Sequence, residues 1–477
     1  MSFISPLFLW YFLPAVLLAV LVFPRRWRNG IVAVGSLLFY TTGGGPFILL
    51  LLACMVVNFL AGPALEPNAW DLQNTRRRRL LIGVISFDVG MLVVWKYAGF
   101  ATQQIAAFAR LFGADLPVVN LLLPIGISFY TFHHISYVVD IYRGERRALR
   151  DPISFTAYIA MFPQLVAGPI VRYREIADQL PQLRSHRLDD IAAGFPRFAL
   201  GLCKKTIFAD SLSPMVEACF ATPPDQMTFA TAWLGAIGYT LQLFFDFSGY
   251  SDMAIGMGRM LGFRLPENFA RPYSSVTITE FWRRWHMSLS RWFRDYVYIP
   301  LGGNRTGAGH TYRNLCVVFV LTGFWHGAQW TFLVWGMYHG ALLIVERAFG
   351  YDTTPAGPVA RVARRALTLL LVVIGWVLFK SADLAHALGM IGHMLLPDFT
   401  GLGDVVSAAL TNQRLIILVA AMAIFFLPSH PVTGPLLESS RSRPANALRI
   451  GVMTVGLVYA AILAATGTFS PFLYYQF

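Results

Sequence analysis

The sequence is poor in charged residues and in cysteine. Only 13% of its 477 residues are Asp, Glu, Lys or Arg, whereas soluble globular proteins carry about 25%. This shortage argues against a chain of two or three soluble domains. The four cysteines show no C-x-x-C spacing and stand alone at Cys54, Cys203, Cys219 and Cys316. Their pattern argues against a disulfide framework and against a zinc site.

The sequence motifs of several enzyme classes are also missing. There is no G-x-S-x-G of a serine hydrolase and no H-E-x-x-H of a zinc enzyme. The adjacent His133 and His134 would point to different faces of a helix, so they make a poor metal pair. The glycine-rich loop 302–309 lacks the G-K-[ST] ending of a P-loop. We therefore predict no bound metal and no tightly bound cofactor.

Long apolar runs dominate what remains, and 56% of the residues are hydrophobic. Segments of roughly 17–25 apolar residues can cross a bilayer as helices. They recur from end to end, most clearly at 5–23, 46–62, 80–96, 228–245, 314–345, 366–379, 414–428 and 450–468. We predict an all-α, polytopic membrane protein with about nine to eleven spans, forming one domain over 1–477. The first run is expected to be a retained anchor, because no positive charge precedes it.

The chain carries a net charge of +13. Most basic residues stand in short loops between apolar runs, which is the pattern that orients membrane proteins with positive loops in the cytoplasm. The clusters are 25–28, 76–79, 143–150, 361–365 and 441–449. This distribution favours a membrane surface over nucleic acid as the partner. It also places the N-terminus outside and makes 31–62 a pair of helices that turn at 41–45.

Polar and ionisable residues concentrate in the middle of the chain, from 119 to 340. Such residues are costly at membrane depth and usually face a bundle interior or a wet cavity. They are Asp140, Asp246, Asp252, His133, His134, His286, His326 and His339. The pattern predicts an internal cavity in this region. Asp246 is a candidate for donor binding or acid–base chemistry, although burial in an ion pair is the alternative.

The stretch 281–300, FWRRWHMSLSRWFRDYVYIP, places aromatic residues at helical three- and four-residue steps with arginines between them. One interpretation is an interfacial helix that anchors the fold. The other is that the arginines line the mouth of a site for an anionic, phosphate-bearing ligand. These arginines are Arg283, Arg284, Arg291 and Arg294. His286 lies among them and fits either interpretation.

The stretch GFWHGAQW, 323–330, places His326 between two glycines of a G-x-x-x-G pair. Small residues at this spacing let helices approach closely in a bilayer. Trp325 adds a large apolar surface beside the histidine and is a candidate for binding the substrate or donor. A buried histidine can be a structural hydrogen-bonding residue or a general base that activates a hydroxyl for acyl transfer. His339, on an ideal helix, would turn away from His326 and is expected to make a structural helix–helix hydrogen bond.

Several stretches resemble the membrane-bound O-acyltransferase superfamily, most closely its bacterial branch of alginate O-acetylation membrane proteins. They are LPIGISFYTFHHISYVVDIYRG, FPQLVAGPIVRY, LQLFFDFSGYSDMAIGMG, FWRRWHMSLSRWFRDYVYIPLGGNR, LTGFWHGAQWTFLVWGMYHG and the C-terminal PFLYYQF. The resemblance covers most of the chain and is specific over about 120–345, which we take as the catalytic core. In place of the paired histidines 133–134, the family pattern is expected to carry less basic residues.

The resemblance implies a ring of membrane helices around a central core with a tunnel. It places the catalytic histidine at His326 and its upstream partner at His286. It also implies acetyl-CoA as the cytoplasmic donor, whose phosphates the four arginines would bind. The acceptor would be an exported polysaccharide such as alginate, reached with a periplasmic partner protein. The expected location is the bacterial inner membrane, among its lipids.

Other interpretations stay open from the sequence. The same fold could serve transfer of D-alanine to teichoic acid, of acetate to peptidoglycan, or of fatty acyl groups to lipid or protein. A non-enzymatic transporter of an acyl donor or lipid would also explain polar residues in the membrane. That alternative gives no role to His326.

Overall fold

The computed structural model describes residues 1–67, 75–182, 187–305, 307–398, 400–440 and 442–466. Every regular element within these ranges is a helix, which confirms the all-α prediction. The C-terminal PFLYYQF segment, and Arg441 at the start of the last basic cluster, lie outside the described residues. The chain divides into two compact units, one of 1–195 with 254–266 and one of 196–253 with 267–477.

The first unit opens with a π-helical turn, Phe8–Phe12, that leads into the first helix. Its helices are α1 (Leu13–Val22), α2 (Arg28–Gly44), α3 (Ile48–Ala64), α4 (Thr75–Arg110), α5 (Ile127–Tyr142), α6 (Pro152–Ile159), α7 (Phe162–Leu165) and α8 (Tyr173–Ile176). The predicted helical pair over 31–62 is confirmed. The chain turns between α2 and α3 at Gly45, whose φ of 51° is in the left-handed region that glycine tolerates.

A buried polar contact links three helices of this unit. Asn58 Nδ2 on α3 donates a hydrogen bond to Asp88 Oδ1 on α4 at 2.9 Å. His134 Nδ1 on α5 lies 4.0 Å from the same oxygen. Asn58, Asp88, His133 and His134 are all buried. The histidine pair of the sequence therefore lies inside this unit, as expected for ionisable residues on membrane helices.

The helices α9 (Arg187–Cys203) and α11 (Phe229–Met260) contribute residues to both units. The others of the second unit are α10 (Ser211–Ala221), α12 (Ile278–Arg284), α13 (Met287–Phe293), α14 (Ala308–His326), α15 (Trp330–Ala348), α16 (Pro358–Lys380), α17 (Leu384–Leu395), α18 (Asp404–Ala409), α19 (Asn412–Met422), α20 (Thr433–Ser439), α21 (Arg443–Gly451) and α22 (Leu457–Ala465). π-Helical turns occupy Lys204–Asp210, Arg294–Tyr298 and Val452–Gly456.

The helices α14 and α15 pack tightly through the glycines of the two G-x-x-x-G pairs. A Cβ on Gly323 would lie 2.5 Å from the backbone oxygen of Phe332. A Cβ on Gly336 would lie 2.3 Å from the backbone oxygen of Phe319. Real Cβ atoms do not approach backbone this closely, so only glycine fits. The predicted close approach of two helices is confirmed, and it fixes the position of the segment that ends in His326.

The protein is a polytopic membrane protein. Four helical segments are long and apolar enough to span a bilayer, namely Arg25–Ala64, Thr75–Arg110, Pro358–Lys380 and Arg443–Ala465. The first of them contains the turn between α2 and α3. Shorter apolar segments are Phe8–Val22, Leu384–Leu395 and Asn412–Phe425.

Candidate active site

His326 is the last residue of α14 and is only 3% exposed. The chain then leaves the helix in an extended conformation at Gly327. A Cβ on Gly327 would lie 2.2 Å from the ring of Phe332, so glycine is needed for this ring to pack. The W-H-G triplet of the sequence therefore forms the end of α14, and the ring of Phe332 packs against its glycine.

Aromatic rings enclose the imidazole of His326. Its centroid lies 4.8 Å from that of Trp325, 5.0 Å from that of Trp335 and 5.1 Å from that of Phe379. All three contacts are edge-to-face, a favoured geometry between aromatic rings. The rings come from α14, α15 and α16. Together they keep bulk water away from the imidazole.

His286 lies in a break between two short helices. The sequence predicts one helix over 281–300, but α12 ends at Arg284 and α13 begins at Met287. His286 has φ 43° and ψ 52°. Within the described ranges, Arg271 is the only other non-glycine residue with positive φ. Such backbone costs on the order of 1–3 kcal/mol and is held by surrounding contacts, often at functional sites.

The His286 side chain is 1% exposed, and Asn268 and Phe247 are among the residues that contact it. Its Nδ1 lies 3.1 Å from Asn268 Oδ1. Its ring meets the edge of Phe247 with centroids 4.7 Å apart. Neither Asn268 nor Phe247 stands out in the sequence, because nothing in their spacing marks them as partners of a histidine.

Trp325 brings the two predicted histidines together. Its ring centroid lies 4.8 Å from that of His326 and 6.1 Å from that of His286. Both histidines therefore contact one indole inside the second unit. The structure thus brings His286, His326 and Trp325 together, while their roles in catalysis and donor binding stay predictions.

Three of the four predicted arginines line one cavity of about 640 Å³. Arg291 donates to the backbone oxygen of Glu267 at 2.8 Å, and Arg294 pairs with Asp295 at 2.7 Å. Arg283 is exposed and forms no ion pair with a described residue. The cavity wall is otherwise mostly apolar and includes Trp282, Phe293, Val318, Phe319, Thr322 and Leu343. Cationic groups at an apolar cavity suit a ligand that has both phosphate and a hydrocarbon portion.

Arg284 and Asp246 lie elsewhere. Arg284 forms an ion pair with Glu280 at 2.8 Å and is absent from the cavity lining. Asp246 is buried and lies 2.6 Å from Lys205 Nζ, which also contacts Asp210 at 2.7 Å. The structure thus places Asp246 in a buried ion pair, the alternative noted for it from sequence. Its partner is a lysine that no pattern in the sequence singles out.

His339 contacts the same aromatic cluster as His326. Its ring centroid lies 5.2 Å from that of Trp335 and 5.1 Å from that of Trp282. The chain breaks between α14 and α15, so the angle expected for one continuous helix does not apply. Neither ring nitrogen forms a hydrogen bond with a described residue, so the expected helix–helix hydrogen bond is not seen there.

The arrangement suits acyl transfer to a hydroxyl. A buried imidazole can accept the hydroxyl proton while an acyl carbon is attacked, and exclusion of water protects the acyl donor from hydrolysis. Two histidines on one indole provide a proton acceptor and a second polar group. The arginine-bearing cavity provides cationic groups for a donor.

Comparison with known proteins points in the same direction. Residues 143–382 match the membrane-bound O-acyltransferase family, and this range includes both histidines. A probable alginate O-acetylase of Azotobacter vinelandii is 41% identical and aligns over 100% of both chains. That of Pseudomonas syringae pv. tomato is 46% identical over 89% of this chain and 80% of its own. A peptidoglycan O-acetyltransferase of Helicobacter pylori is 34% identical over 81% of this chain and 79% of its own.

Proposed function

Because this chain belongs to the membrane-bound O-acyltransferase family, we propose that it moves acetyl groups from acetyl-CoA to an exported polysaccharide. The donor binds from the cytoplasm, and the acetyl group becomes an ester of a sugar hydroxyl. The enzyme resides in the bacterial inner membrane, where its helices contact lipid. The polysaccharide is of the alginate type.

The relatives support the choice of a polysaccharide. The two named as probable alginate O-acetylases match 89% or more of this chain at 41% identity or better. The relative named for peptidoglycan is less similar, at 34%. Acetyl transfer is common to both names, so the acyl group is better supported than the acceptor.

The observation that carries the proposal is the aromatic enclosure of His326. Trp325, Trp335 and Phe379 each bring a ring centroid within 4.8–5.1 Å of the imidazole centroid. Such close packing would obstruct a fatty chain more than a small acyl group. It favours acetyl over long acyl groups and gives the histidine a role that a transporter would not need.

The reaction balances without any added oxidant or metal. An acceptor hydroxyl, on the sugar or on the partner protein that passes the acetyl group to the sugar, attacks the carbonyl carbon of the thioester, and His326 accepts the hydroxyl proton as general base. The new C–O bond forms and the C–S bond breaks. The leaving thiolate takes the proton from the imidazolium, which restores neutral His326 and yields CoA-SH. In this scheme His286 orients the acceptor or polarises the carbonyl.

The phosphates of CoA are assigned to the cavity lined by Arg283, Arg291 and Arg294. Arginine binds phosphate oxygens with paired, charge-assisted hydrogen bonds. Arg284 and Asp246 do not line this cavity and are left out of the assignment. A periplasmic partner protein completes transfer to the polymer on the outer side.

The test is the ester-linked acetyl content of the exported polysaccharide in cells that carry His326→Ala, with membrane levels matched to the wild type. The proposal expects acetylation to disappear while the protein remains folded. Unchanged acetylation would remove His326 from the chemistry and favour a transport role. The peptidoglycan of the same cells is analysed in parallel. If acetate is lost only from peptidoglycan, that polymer is the acceptor and the exported polysaccharide is not.

A further inference from the structure

We infer that Asn268 is a positioning residue that holds His286 in the tautomer with its proton on Nδ1, so that Nε2 carries the lone pair. This inference rests on the proposed function, in which His286 belongs to the reaction centre. It adds a residue that acts through His286, and it selects one of the two roles given to that histidine. With its lone pair on Nε2, the ring accepts a hydrogen bond from the acceptor hydroxyl and orients it, since polarising the carbonyl would need an N–H donor there.

The orientation of the Asn268 amide is settled by a backbone donor. Its Oδ1 accepts hydrogen bonds from Ser288 N at 3.2 Å and from Ser288 Oγ at 2.9 Å. A backbone N–H can only donate, so the atom facing it must be the amide oxygen. Asn268 Nδ2 donates instead to Ser251 Oγ on α11 at 3.0 Å. Rotating the amide would place NH₂ against the N–H of Ser288.

The tautomer of His286 follows from that orientation. A neutral imidazole has one N–H donor and one acceptor nitrogen. Its Nδ1 lies 3.1 Å from Asn268 Oδ1, which is an acceptor, so Nδ1 must be the donor. Nε2 is then the nitrogen with the lone pair. The hydrogen bond at one ring nitrogen thus sets the chemistry available at the other.

Asn268 is itself held beside the turn that contains His286. Its backbone oxygen accepts from Met287 N at 3.0 Å, and Ala270 N donates to Arg284 O at 3.0 Å. These two bonds lie on either side of His286 in the chain. They stabilise the break between α12 and α13 and offset the free-energy cost of the left-handed backbone of His286, whose φ is 43°.

The preceding residue ties this segment to α11. The carboxylate of Glu267 lies 2.6 Å from Arg197, which in turn lies 2.6 Å from Asp252. Arg197 and Asp252 are buried, whereas the Glu267 side chain is 33% exposed. Asp252 follows Ser251, the residue that receives the amide hydrogen bond of Asn268. The Asn268 side chain is therefore fixed from two directions.

The charged side chains near this segment already have partners. On α11, Asp246 lies 2.6 Å from Lys205, and Asp252 contacts both Arg197 and Lys204 at 2.6 Å. On α13, Arg291 donates to the backbone oxygen of Glu267. Asn268, whose Oδ1 lies 3.1 Å from His286 Nδ1, contributes a neutral amide. Replacing that amide with a carboxylate would add a negative charge beside the ring.

The experiment measures acetyl transfer from acetyl-CoA as a function of pH, in membranes from cells that contain the complete acetylation system. The variants are Asn268→Ala, Asn268→Asp and the control Ser251→Ala, which removes the other hydrogen bond of the same amide. Asn268→Ala is expected to lower kcat on the order of 10–100-fold, the size of effect seen when metal-binding histidines lose the partners that orient them, with little change in KM. Ser251→Ala is expected to keep the wild-type pH profile.

Asn268→Asp is the decisive variant. It keeps an acceptor for Ser288 and for His286, and it favours the imidazolium form by adding a nearby negative charge. The acidic limb of the pH–rate profile should therefore move upward by about one pH unit. An Asn268 that acts only through Ser288 would leave the profile where it is, because Asp keeps the acceptor for Ser288. An unchanged pH–rate profile in Asn268→Asp would overturn the inference. This test remains decisive if Asn268→Ala fails to accumulate.

His286→Gln separates this inference from the proposed function. If His286→Gln is fully active, His286 has no part in the reaction. Its role in the proposed function and the positioning role of Asn268 then both fail. If His286→Gln is inactive while Asn268→Asp keeps the wild-type profile, only the role of Asn268 fails. Loss of activity in His286→Gln together with the shifted pH–rate profile in Asn268→Asp supports both the role of His286 in the reaction and the positioning role of Asn268.

Discussion

The imidazole of His326 meets the indole of Trp335 nearly at a right angle, with their ring centroids 5.0 Å apart. Trp335 is 1% exposed and comes from the helix that packs closely against α14 through paired glycines. The indole therefore stands in a fixed place beside the proposed general base. Its size should limit how large an acyl group can approach that base.

We predict that Trp335→Phe relaxes acyl-chain selectivity. The smaller ring leaves room next to His326, and one methylene in an apolar pocket is worth about 1–3 kcal/mol of discrimination. Activity with butyryl-CoA relative to acetyl-CoA should rise about tenfold. Competition between the two donors in membranes measures this ratio directly.

Trp376→Phe is the matched control for that change. Trp376 belongs to the same aromatic cluster, with its centroid 5.9 Å from that of Trp335, and it is equally buried. It has no ring contact with His326 among the residues described. The control should keep the selectivity of the wild type. Equal relaxation in both variants would mean that general loosening of the cluster, and not the ring beside His326, sets chain length.

Arg283 provides a prediction about donor binding. It lines the 640 Å³ cavity and is exposed. Arg283→Gln should raise KM for acetyl-CoA about tenfold, since a charge-assisted hydrogen bond contributes roughly 1.5–3 kcal/mol. The kcat should stay near that of the wild type, because the arginine binds ground and transition states alike.

A donor without phosphates tests that explanation. The acetyl thioester of N-acetylcysteamine should be used equally well by Arg283→Gln and by wild type. Arg110→Gln serves as control, because its side chain is 65% exposed and lies on α4. A KM increase for both donors would show that the substitution acts on the site by other means than phosphate binding.

Local signals in the sequence were sufficient for part of this architecture. Apolar runs predict the spanning helices because a bilayer demands their length. The G-x-x-x-G pairs predict the approach of α14 to α15 because only glycine allows it. Both patterns can be recognised from residues that lie close together in the sequence. The pairing of His286 with His326 came from family resemblance, and the structure places both against Trp325.

The remaining features depend on contacts between distant parts of the chain. The aromatic period over 281–300 predicts one helix, yet Asn268, 18 positions before His286, stabilises a break there. Phe379 joins the enclosure of His326 from α16, and no local pattern indicates that. Lys205 likewise meets Asp246 only through folding. Tertiary contacts of this kind override local periodicity.

The ion pair of Lys205 and Asp246 yields a prediction about stability. Both side chains are at most 2% exposed. Removing one partner of a buried pair costs about 3–5 kcal/mol, because the other charge stays buried. Lys205→Met leaves Asp246 and Asp210 without this cation and should strongly lower the melting temperature in detergent.

Asp246→Asn should be milder, because Lys205 still contacts Asp210 at 2.7 Å. This asymmetry distinguishes a structural Asp246 from one that binds donor. Donor binding would instead produce a higher KM for acetyl-CoA in Asp246→Asn at an unchanged melting temperature. Measuring both quantities on the same preparation separates the two roles.

Gly336→Ala tests the packing that places His326. Its new Cβ would lie 2.3 Å from the backbone oxygen of Phe319 and 3.2 Å from Gly323 Cα. Backbone cannot yield as a flexible side chain can, so overpacking of about 1–3 kcal/mol is expected. The melting temperature should fall, and acetyl transfer should fall with it because α14 carries His326 at its end.

Gly392→Ala is the control for the methyl group itself. Gly392 lies within α17, and a methyl group added there would meet no described atom beyond its own helix within 4 Å. Alanine favours helix over glycine by about 1 kcal/mol, so this variant should melt at or above the wild-type temperature. If Gly336→Ala melted like Gly392→Ala, α14 and α15 would be farther apart than their glycines indicate. The aromatic rings around His326 include residues of both helices, so they would then pack less closely. The predicted selectivity for short acyl groups would be weaker as a result.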